Sequence, residues 1–331
     1  MDLNVKTSNG SYSVIICKGV LNEAYKYINL KRKILIVTDD NIPSIYIDTV
    51  SKQCENYLIY TIAHGESSKN FENYKNILTF MVENDFTRND AIIAIGGGVV
   101  GDLAGFVAST YMRGIDFYNI PTSLLAQVDS SIGGKTAIDL NNVKNIVGAF
   151  YPPKCVLIDI DTLKTLDKRQ LHAGLVEAIK MAITCDKDLF DLIYNSKDLY
   201  SDIETIIYKS LLIKKYVVEY DELENDLRKV LNFGHTIGHA IESYSNMNLL
   251  HGECVGLGML HFVSENIKNK IIEILSKYDL PISYDYTLND LLPYLSKDKK
   301  AKGDILQVVY VNEIGKFEFK IINIEEIKNF F

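Results

Sequence analysis

The fold class is indicated by residues 90–102, DAIIAIGGGVVGD. The unbroken apolar run is typical of a strand that is buried on both faces of a parallel sheet. Three consecutive glycines follow, and an apolar helical pattern begins directly after them. A strand that passes through glycines into a helix presents main-chain amides at the helix N-terminus, where a phosphate group binds favourably. The segment therefore predicts an α/β fold with a candidate nucleotide site.

Two interpretations of these glycines stay open at this point. Gly96, Gly98 and Gly101 satisfy G-x-G-x-x-G, but that dinucleotide pattern usually lies in the first strand-turn-helix unit of a domain. The alternative is a tight turn without a ligand, although three glycines leave room for a pyrophosphate. A ribose partner would be an acid after another strand, and Asp39 with Asn41 fits that position. Turn capping by Asp39 and Asn41 is equally compatible with the sequence.

The rest of the first 160 residues alternates short apolar runs with helical patterns, as in a parallel sheet covered by helices. Further strands are predicted at residues 33–40, 56–65, 116–121 and 155–161, and helices at 74–84 and 101–112. The later part is almost entirely helical, with helices predicted at 168–183, 202–220 and 227–244 and a hairpin that pairs 305–311 with 316–322. We therefore expect an α/β domain at 1–151 and a mostly helical domain at 152–331.

The composition excludes several classes of protein. The chain has 331 residues, of which 47% are hydrophobic and 24% charged, as expected for a folded rather than a disordered protein. The net charge of −8 gives no general attraction to nucleic acid or to an anionic membrane, so an anionic substrate would need a local cationic pocket.

The sequence also indicates a cellular compartment. No apolar run reaches the roughly 18 residues of a membrane span, and the N-terminus lacks the apolar core of a signal peptide. We therefore expect a cytoplasmic protein. The five cysteines are scattered without a C-x-x-C pair, and we expect them to be buried and reduced.

The histidines are concentrated in the helical region. His235 and His239 lie four residues apart on one face of a predicted helix, and HGE at residues 251–253 opens another predicted helix. Two imidazoles from one helix, a third nearby and a carboxylate form a common catalytic zinc arrangement. The spacing favours His235 and His239 as a ligand pair, but it does not say which histidine acts in acid–base chemistry. The alternative is a helix that packs closely through Gly234 and Gly238, with partly buried histidines.

Glu177 is the candidate carboxylate. It lies in GLVEAIK, one turn before Lys180, and a surface ion pair is the usual interpretation of this spacing. The neighbours of Glu177 are apolar, however, and leave little polar helix face for such a pair. This surrounding favours a functional role.

Several long motifs together resemble one family, the 3-dehydroquinate synthases, which are sugar-phosphate cyclases. In chain order the motifs are GGGVVGDLAGFVASTYMRG (96–114), IPTSLLAQVDSSIGGKTAID (120–139), KNIVGAFYPP (144–153), GLVEAIK (174–180), LNFGHTIGHAIE (231–242), HGE (251–253) and DKK (298–300). The resemblance runs from about residue 33 to residue 315. It implies a Rossmann-like α/β NAD-binding domain, followed by a mostly α-helical domain that binds metal and substrate.

The resemblance also implies NAD and a divalent metal, zinc or cobalt, as cofactors. By analogy the metal ligands are Glu177, His235 and His251, whereas His239 resembles a catalytic and substrate-binding histidine and not a ligand. The positions that match the NAD site are Asp39, Asn41, Glu66, Lys69, Gly98, Val99, Val100, Gly101, Asp102, Thr122, Ser123, Asp129, Lys135, Lys144, Thr162, Leu163, Lys164 and Thr165.

A third set of matching positions supplies the cationic pocket that an anionic substrate requires. The positions that match substrate contacts are Arg113, Asp129, Lys135, Lys144, Asn145, Lys180, Lys214, Arg228, Asn232, His239 and Lys299, or Lys300 in place of Lys299. Among these, Lys135, Lys180, Arg228, Asn232 and His239 are the candidate catalytic residues. Arginine grips phosphate or carboxylate with two hydrogen bonds, and lysine adds a point charge.

The activity implied by the resemblance is conversion of 3-deoxy-D-arabino-heptulosonate 7-phosphate to 3-dehydroquinate and phosphate. NAD+ oxidises one hydroxyl, phosphate leaves by β-elimination, the hydride returns, and ring opening with an aldol closure completes the reaction. The resemblance further implies a homodimer.

Three alternatives stay open from the sequence. One is another cyclase, such as 2-deoxy-scyllo-inosose synthase, and a second is a metal-dependent polyol dehydrogenase of the glycerol dehydrogenase kind. The third is an NAD-binding protein without catalysis. The heptulosonate is favoured over glucose 6-phosphate because its carboxylate needs cationic partners, which the candidate pocket supplies.

Overall fold

The computed structural model describes residues 1–141, 143–246, 248–295 and 305–331. They form two compact units, Met1–Leu166 and Asp167–Phe331. The division falls later than the boundary expected after residue 151. The reason is that the strand Cys155–Ile158 pairs within the sheet of the first unit.

The first unit is built on a seven-stranded sheet. Its strands are β1 (Asp2–Thr7), β2 (Gly10–Ile16), β3 (Lys33–Asp39), β4 (Asn56–Ile62), β5 (Ala91–Gly96), β6 (Asp116–Pro121) and β9 (Cys155–Ile158). The spatial order is β1-β2-β9-β6-β5-β3-β4, and every neighbouring pair is parallel except β1 with β2. The predicted parallel sheet is confirmed, and each strand predicted from an apolar run is present.

Helices cover both faces of this sheet, as the continuous apolar strands predicted. The helices are α1 (Ser44–Ser51), α2 (Phe71–Glu83) and α3 (Gly98–Thr110). Leu103 and Val107 of α3 pack with Ile77 and Met81 of α2 on one face, and Val50 of α1 lies in the core on the other face. Because β3, β5 and β6 are parallel, their carboxyl ends lie at the same end of the sheet.

Two hairpins were not predicted. β1 and β2 form an N-terminal antiparallel pair, and β7 (Lys135–Leu140) pairs with β8 (Val143–Phe150) in a separate two-stranded sheet. The second hairpin carries exposed apolar side chains, including Ile146 and Phe150, so apolar residue types do not mark its buried face in the sequence.

The second unit is mostly helical, as predicted. Its helices are α4 (Lys168–Cys185), α5 (Lys187–Asn195), α6 (Leu199–Tyr220), α7 (His235–Tyr244), α8 (His251–Met259), α9 (Glu265–Lys277) and α10 (Leu288–Leu295). The predicted C-terminal hairpin is confirmed as β10 (Ile305–Glu313) paired with β11 (Lys316–Asn323). Among the described residues, no helix is long and apolar enough to span a membrane.

The prediction of one continuous helix over residues 227–244 is wrong. A 3-10 turn occupies Leu227–Asn232, and Gly234 then adopts a left-handed conformation with φ of 76° before α7 begins. The apolar spacing continues across this break, which is why the pattern does not reveal it. The break separates Asn232 from His235 and gives their side chains independent directions.

α8 packs against two helices with almost no side chain between the backbones. A Cβ atom on Gly258 would lie 2.1 Å from the carbonyl oxygen of Gly234, and one on Gly238 would lie 3.0 Å from that of Cys254. On α4, a Cβ atom on Gly252 would lie 1.9 Å from the carbonyl oxygen of Ala173. The close helix packing considered from Gly234 and Gly238 is therefore present, and it brings α4, α7 and α8 together.

The cysteines differ from the expectation in part. Cys155 and Cys254 are buried, Cys54 and Cys185 are partly buried, and Cys17 is exposed. Burial raises the pKa of the Cys155 thiol to about 12, which keeps it protonated and unreactive. The expectation that all five are buried is wrong for Cys17, which follows the end of β2.

We expect Gly234→Ala to destabilise the protein by roughly 2 to 4 kcal/mol, because alanine is strained at positive φ and meets a packed backbone. Its Cβ atom would lie 2.6 Å from Cγ of Met259 and 2.7 Å from the carbonyl oxygen of Val255. Urea unfolding followed by circular dichroism measures the change. Gly256→Ala is the matched control, because its nearest contact is a Leu275 methyl group at 3.2 Å, and its effect should stay below about 1 kcal/mol. Equal effects of the two substitutions would contradict this account.

Candidate active site

Three histidines converge in the second unit. His235 and His239 project from the first two turns of α7, and His251 begins α8. One ring nitrogen from each can be chosen so that all three lie within 4.8 Å of one another. His239 is the exposed member, whereas His235 and His251 are partly buried. The three histidines that the sequence predicts as candidates therefore lie close together.

Glu177 of α4 lies directly beside the cluster. Its Oε1 atom is 3.7 Å from Nε2 of His235 and 3.5 Å from Nε2 of His251. The Glu177 side chain is 1% exposed, and neither carboxylate oxygen has a hydrogen bond of ordinary geometry. A buried carboxylate in this state is costly unless a cation neutralises it.

Lys180 supplies one positive charge to Glu177. Its ammonium group forms an ion pair with Oε2 of Glu177 and donates a hydrogen bond to the carbonyl oxygen of Leu231 at 2.5 Å. Lys180 is 1% exposed, so this is a buried pair and not the surface pair that the spacing usually indicates. The apolar neighbours of Glu177 on α4 account for this burial.

The outer ring nitrogens of two histidines face acceptors. Nδ1 of His235 lies 3.1 Å from the carbonyl oxygen of Phe233, and Nδ1 of His251 lies 3.5 Å from Oε2 of Glu242. Both rings therefore direct Nε2 toward Glu177. This shared orientation distinguishes His235 and His251 from a pair defined only by the i, i+4 spacing.

The buried charges shift two pKa values in opposite directions. Burial alone would raise the pKa of Glu177, but Lys180 and His251 lower it to about 2. Burial alone would lower the pKa of His251, but Glu177 and Glu242 raise it to about 9. At neutral pH and without a bound metal, His251 is therefore a cation between two carboxylates.

Several further residues of the predicted cationic pocket are buried in the same unit. Lys214 of α6 is 5% exposed and Arg228 is 2% exposed. The Arg228 guanidinium donates to the carbonyl oxygen of Glu222, and its main-chain amide donates to the carboxylate of Asp221. Fully buried cations of this kind are rare in proteins unless they are paired.

Glu224 is a site neighbour that sequence reasoning missed. Its Oε1 atom accepts a hydrogen bond of 2.7 Å from Nδ2 of Asn232, and its backbone has a φ of 62°. A glutamate in the segment DELEND looks like solvated charge, and a left-handed φ at a non-glycine residue cannot be read from sequence. His261, the fourth histidine of the region, instead contacts the carbonyl oxygen of Phe330 and the Tyr286 hydroxyl.

In the first unit, the predicted nucleotide residues gather at one edge of the sheet. β5 ends at Gly96, α3 begins at Gly98, and the amide of Thr122 after β6 donates to the carbonyl oxygen of Gly96. Asp39 ends β3, which pairs directly with β5. The predicted strand, glycine turn and helix are confirmed. Gly98, Val99, Val100, Gly101 and Asp102 form the first residues of α3, and Ser123 follows Thr122.

Asp39 also has the capping geometry that the sequence left open. Its Oδ1 atom accepts a hydrogen bond of 2.9 Å from the amide of Asn41. Burial raises the pKa of Asp39, and the hydrogen bond from Asn41 lowers it, with a net increase. The carboxylate is partly exposed and has a second oxygen, so capping does not prevent contact with a ligand.

Lys69 is held between two acids beside this edge. Its ammonium nitrogen is 2.9 Å from Glu66 and 3.2 Å from Asp102. Burial alone would lower the pKa of Lys69, but Asp102 and Glu66 raise it above its ordinary value. The Lys69 carbonyl oxygen accepts a hydrogen bond from the amide of Asp139, which connects the loop to the β7–β8 hairpin.

Only part of the stretch 162–165 is accessible to a ligand through its side chains. Thr162 and Leu163 are buried, and the Thr162 hydroxyl bonds to Gln127 and to the carbonyl oxygen of Asp159. A ligand contact from this stretch would therefore use main-chain atoms, Lys164 or Thr165. Asp129 lies in a π-helical turn, Ala126–Ser130, a form that is frequent at functional sites.

The remaining candidates differ in exposure. Arg113 and Lys135 are exposed, and Lys144 is partly buried on β8. Arg113 and Asn145 have positive φ values of 67° and 53°. Lys299 and Lys300 lie outside the described residues.

The residues present fit both cofactors that the sequence implied. A divalent cation would satisfy the buried oxygens of Glu177 and accept imidazole nitrogens, and this mixed N/O donor set suits zinc or cobalt. In the glycine turn, a Cβ atom on Gly97 would meet nothing closer than the Ser123 hydroxyl oxygen at 3.5 Å. The turn therefore leaves a partly exposed space over the amides at the start of α3.

Solved structures of known proteins define the class to which this fold belongs. A 2-deoxy-scyllo-inosose synthase with carbaglucose-6-phosphate, NAD+ and Co2+ aligns with a TM-score of 0.89 and 25% identity over 99% of this chain and 98% of that one. A 2-epi-5-epi-valiolone synthase from Streptomyces hygroscopicus with NAD+ and Zn2+ also has a TM-score of 0.89 and 25% identity, over 98% and 96%. A glycerol dehydrogenase from Schizosaccharomyces pombe, at 15% identity over 86% and 82% of the chains and a TM-score of 0.59, shares only the fold. The class is that of the sugar-phosphate cyclases.

Sequence relatives give the particular family. The models of the 3-dehydroquinate synthase N-terminal and C-terminal domains match residues 59–173 and 174–301. Curated 3-dehydroquinate synthases from Lactococcus lactis and Streptococcus thermophilus are 43% and 40% identical, each over 100% of this chain and 99% of the relative. The chain belongs to the 3-dehydroquinate synthase family, whose members are enzymes that use NAD and a divalent metal.

We expect the stability of the metal-free protein to depend on the charge of His251. The folded-state pKa of about 9 lies above the ordinary value of 6.5, so the stabilisation is complete below about pH 6.5 and is lost as pH rises toward about 9. The groups that face the ring are Glu177, Glu242, His235 and His239.

Urea unfolding of wild type and His251→Gln, in excess chelator at several pH values between about 6 and 9, measures this. The difference in free energy of unfolding between the two proteins should shrink steadily across that range. A difference independent of pH would contradict the charge assigned to His251.

Proposed function

We propose that this chain converts 3-deoxy-D-arabino-heptulosonate 7-phosphate to 3-dehydroquinate and phosphate, as the family name describes. One observation carries the proposal: the buried carboxylate of Glu177, without ordinary hydrogen bonds, faces Nε2 of both His235 and His251. Relatives that cover the whole chain at 40–43% identity favour this substrate over those of the other cyclases, at 25%.

We assign the metal ligands as Glu177, His235 and His251. The common orientation of the two rings supports this set, because each presents Nε2 inward and has an acceptor at Nδ1. When bound, the metal would polarise the substrate hydroxyl as a Lewis acid, and NAD+ would accept a hydride and later return it. Lys180 forms an ion pair with Glu177, and its ammonium group would donate a hydrogen bond to the substrate.

His239 is the proposed proton-transfer group. It is the exposed histidine of the cluster, and its ring centroid lies 5.2 Å from that of His235. Exposure on the accessible face of α7 lets its ring reach a substrate hydroxyl, and an imidazole can accept a proton near neutral pH. Spacing alone had grouped His239 with the ligands.

The nucleotide assignment rests on the sheet edge of the first unit. Asp39 and Asn41 would contact the adenosine ribose, and the amides of Gly98 to Gly101 at the start of α3 would bind the pyrophosphate. Lys69, held charged by Glu66 and Asp102, would add positive potential near the phosphates. The remaining members of this site are Asp102, Thr122, Ser123, Asp129, Lys135, Lys144 and the stretch 162–165.

The substrate assignment rests on the concentration of buried positive charge. Lys180, Lys214 and Arg228 are each at most 5% exposed, so the second unit contains several buried positive charges, which favour binding of an anion. With Asn232 and His239 they would bind the carboxylate and hydroxyls. Arg113, Lys135, Lys144, Asn145 and Lys299 would complete the contacts to substrate and phosphate. We further propose a cytoplasmic homodimer.

We expect substitution of a metal ligand to remove zinc, and substitution of His239 to lower kcat without removing zinc. His235→Ala and His251→Ala should lose stoichiometric zinc, measured by elemental analysis after gel filtration, because each removes a ligand. His239→Ala should keep zinc and NAD+ but lower kcat by roughly 10² to 10⁴, as for loss of an acid–base group. Equal zinc loss in all three proteins would return His239 to the ligand set.

We expect the reaction to need NAD+ only in catalytic amounts, because the hydride that is removed returns to the same substrate. Purified protein with zinc, NAD+ and the heptulosonate phosphate should release phosphate over many turnovers without a rise in absorbance of reduced nicotinamide. A polyol dehydrogenase would instead accumulate NADH in proportion to product, and that result would overturn the proposal. The same assay with glucose 6-phosphate in place of the heptulosonate tests for 2-deoxy-scyllo-inosose synthase activity. We expect no release of phosphate from glucose 6-phosphate.

A further inference from the structure

Glu242 is a buried acid that the assigned roles do not use. It lies near the end of α7, seven residues after His235, and is 5% exposed. Its Oε2 atom lies 3.5 Å from Nδ1 of His251, on the ring edge opposite the one that faces Glu177. A buried carboxylate at this position is costly and therefore calls for a role.

We propose that Glu242 is a positioning residue that holds His251 in the tautomer and ring orientation needed to bind the metal. The inference rests on the proposed function, because it takes His251 as a ligand. An ionised carboxylate only accepts hydrogen bonds, so Nδ1 of His251 must carry the hydrogen that faces Glu242. When a metal replaces the proton on Nε2, the lone pair of that nitrogen is directed toward the side of the ring where Glu177 lies.

The arrangement at His235 supports this account. Nδ1 of His235 faces the carbonyl oxygen of Phe233 at 3.1 Å, and its Nε2 faces Glu177. A carbonyl oxygen is also only an acceptor, so it selects the same tautomer. The two rings therefore have the same tautomer, although each has a different acceptor at Nδ1. Metal-binding histidines generally donate their other ring N–H to an acceptor of this kind. At His251 the acceptor is a side chain from the neighbouring helix α7.

A separate contact fixes the backbone of His251. Glu253 accepts a hydrogen bond of 2.8 Å from the amide of Leu250 and forms two contacts with the Arg169 guanidinium, at 2.7 and 2.8 Å. Arg169 also donates to the carbonyl oxygen of Asn248 at 3.0 Å. These bonds fix the start of α8 but do not touch the imidazole. On the Nδ1 side of the ring, the contact that acts on its rotation and tautomer is the one from Glu242.

The test uses the full chain and zinc itself. The zinc dissociation constant is measured by competition with a chromophoric chelator for wild type, Glu242→Ala and Glu242→Gln. We expect Glu242→Ala to weaken zinc binding by roughly 10- to 100-fold, the usual effect of removing such a partner. Glu242→Gln keeps an acceptor oxygen without the charge and should recover part of this loss. The visible spectrum of the Co2+-loaded protein should change in Glu242→Ala, because the ligand field is altered.

Two controls separate positioning from general damage. Glu219→Gln removes a half-buried carboxylate of α6 that pairs with Lys215 at 3.1 Å, and its zinc affinity should equal that of wild type. NAD+ binding, measured by calorimetry, should be unchanged in both Glu242 variants. A structural role alone would lower thermal stability without changing zinc affinity or the Co2+ spectrum of the folded protein.

Each outcome decides the inference. A zinc affinity of Glu242→Ala within twofold of wild type overturns the inference. If Glu242→Ala does not fold, the test uses Glu242→Gln, and an unchanged zinc affinity with an unchanged Co2+ spectrum overturns the inference. Failure of the proposed function is visible separately. If wild type binds zinc but releases no phosphate from the heptulosonate, the function fails while the positioning result stands. If His251→Ala retains zinc, the ligand assignment itself fails.

Discussion

The buried negative charge of Glu177 is the constraint on which the site depends. A carboxylate that is 1% exposed must be compensated, because burial of an unpaired charge costs several kcal/mol. Lys180 compensates it from the same helix, and His235 and His251 approach from two others. A divalent cation would complete the neutralisation. The charge therefore explains why three helices must meet at one point.

Glycine makes that meeting possible. Gly234, Gly238, Gly252 and Gly258 lie where a side chain would collide with a neighbouring backbone. Without them α8 would be displaced from α4 and α7 by the width of a side chain, and the imidazoles would not reach the carboxylate. Dense packing of this kind transmits small displacements, so metal affinity and helix packing are coupled in this unit.

The candidate nucleotide site at the carboxyl ends of the strands depends on strand order and not on close helix packing. Neighbouring parallel strands have their carboxyl ends on the same side of a sheet. Asp39, the glycine turn and Thr122 follow or end β3, β5 and β6, so they lie next to one another without specific long-range contacts. The strands are apolar throughout because α1, α2 and α3 cover both faces. This edge could be predicted from sequence, because it follows from strand order along the chain and from local turn chemistry.

Sequence by itself determined the elements with strong local signals: the apolar strands, the glycine turn, most helices, the C-terminal hairpin and the histidine cluster. It also determined the family, because long ordered motifs match. It did not reveal the break at Gly234, which packs against α8, the β7–β8 hairpin, whose exposed apolar side chains obscure the strand pattern, or the exposure of Cys17. Only the tertiary structure decided that Glu177 and Lys180 form a buried pair, that Glu242 faces His251, and that Glu224 contacts Asn232. The burial of the Glu177–Lys180 pair and the other two contacts depend on how separate segments pack, and a one-dimensional pattern of residue types does not contain that packing.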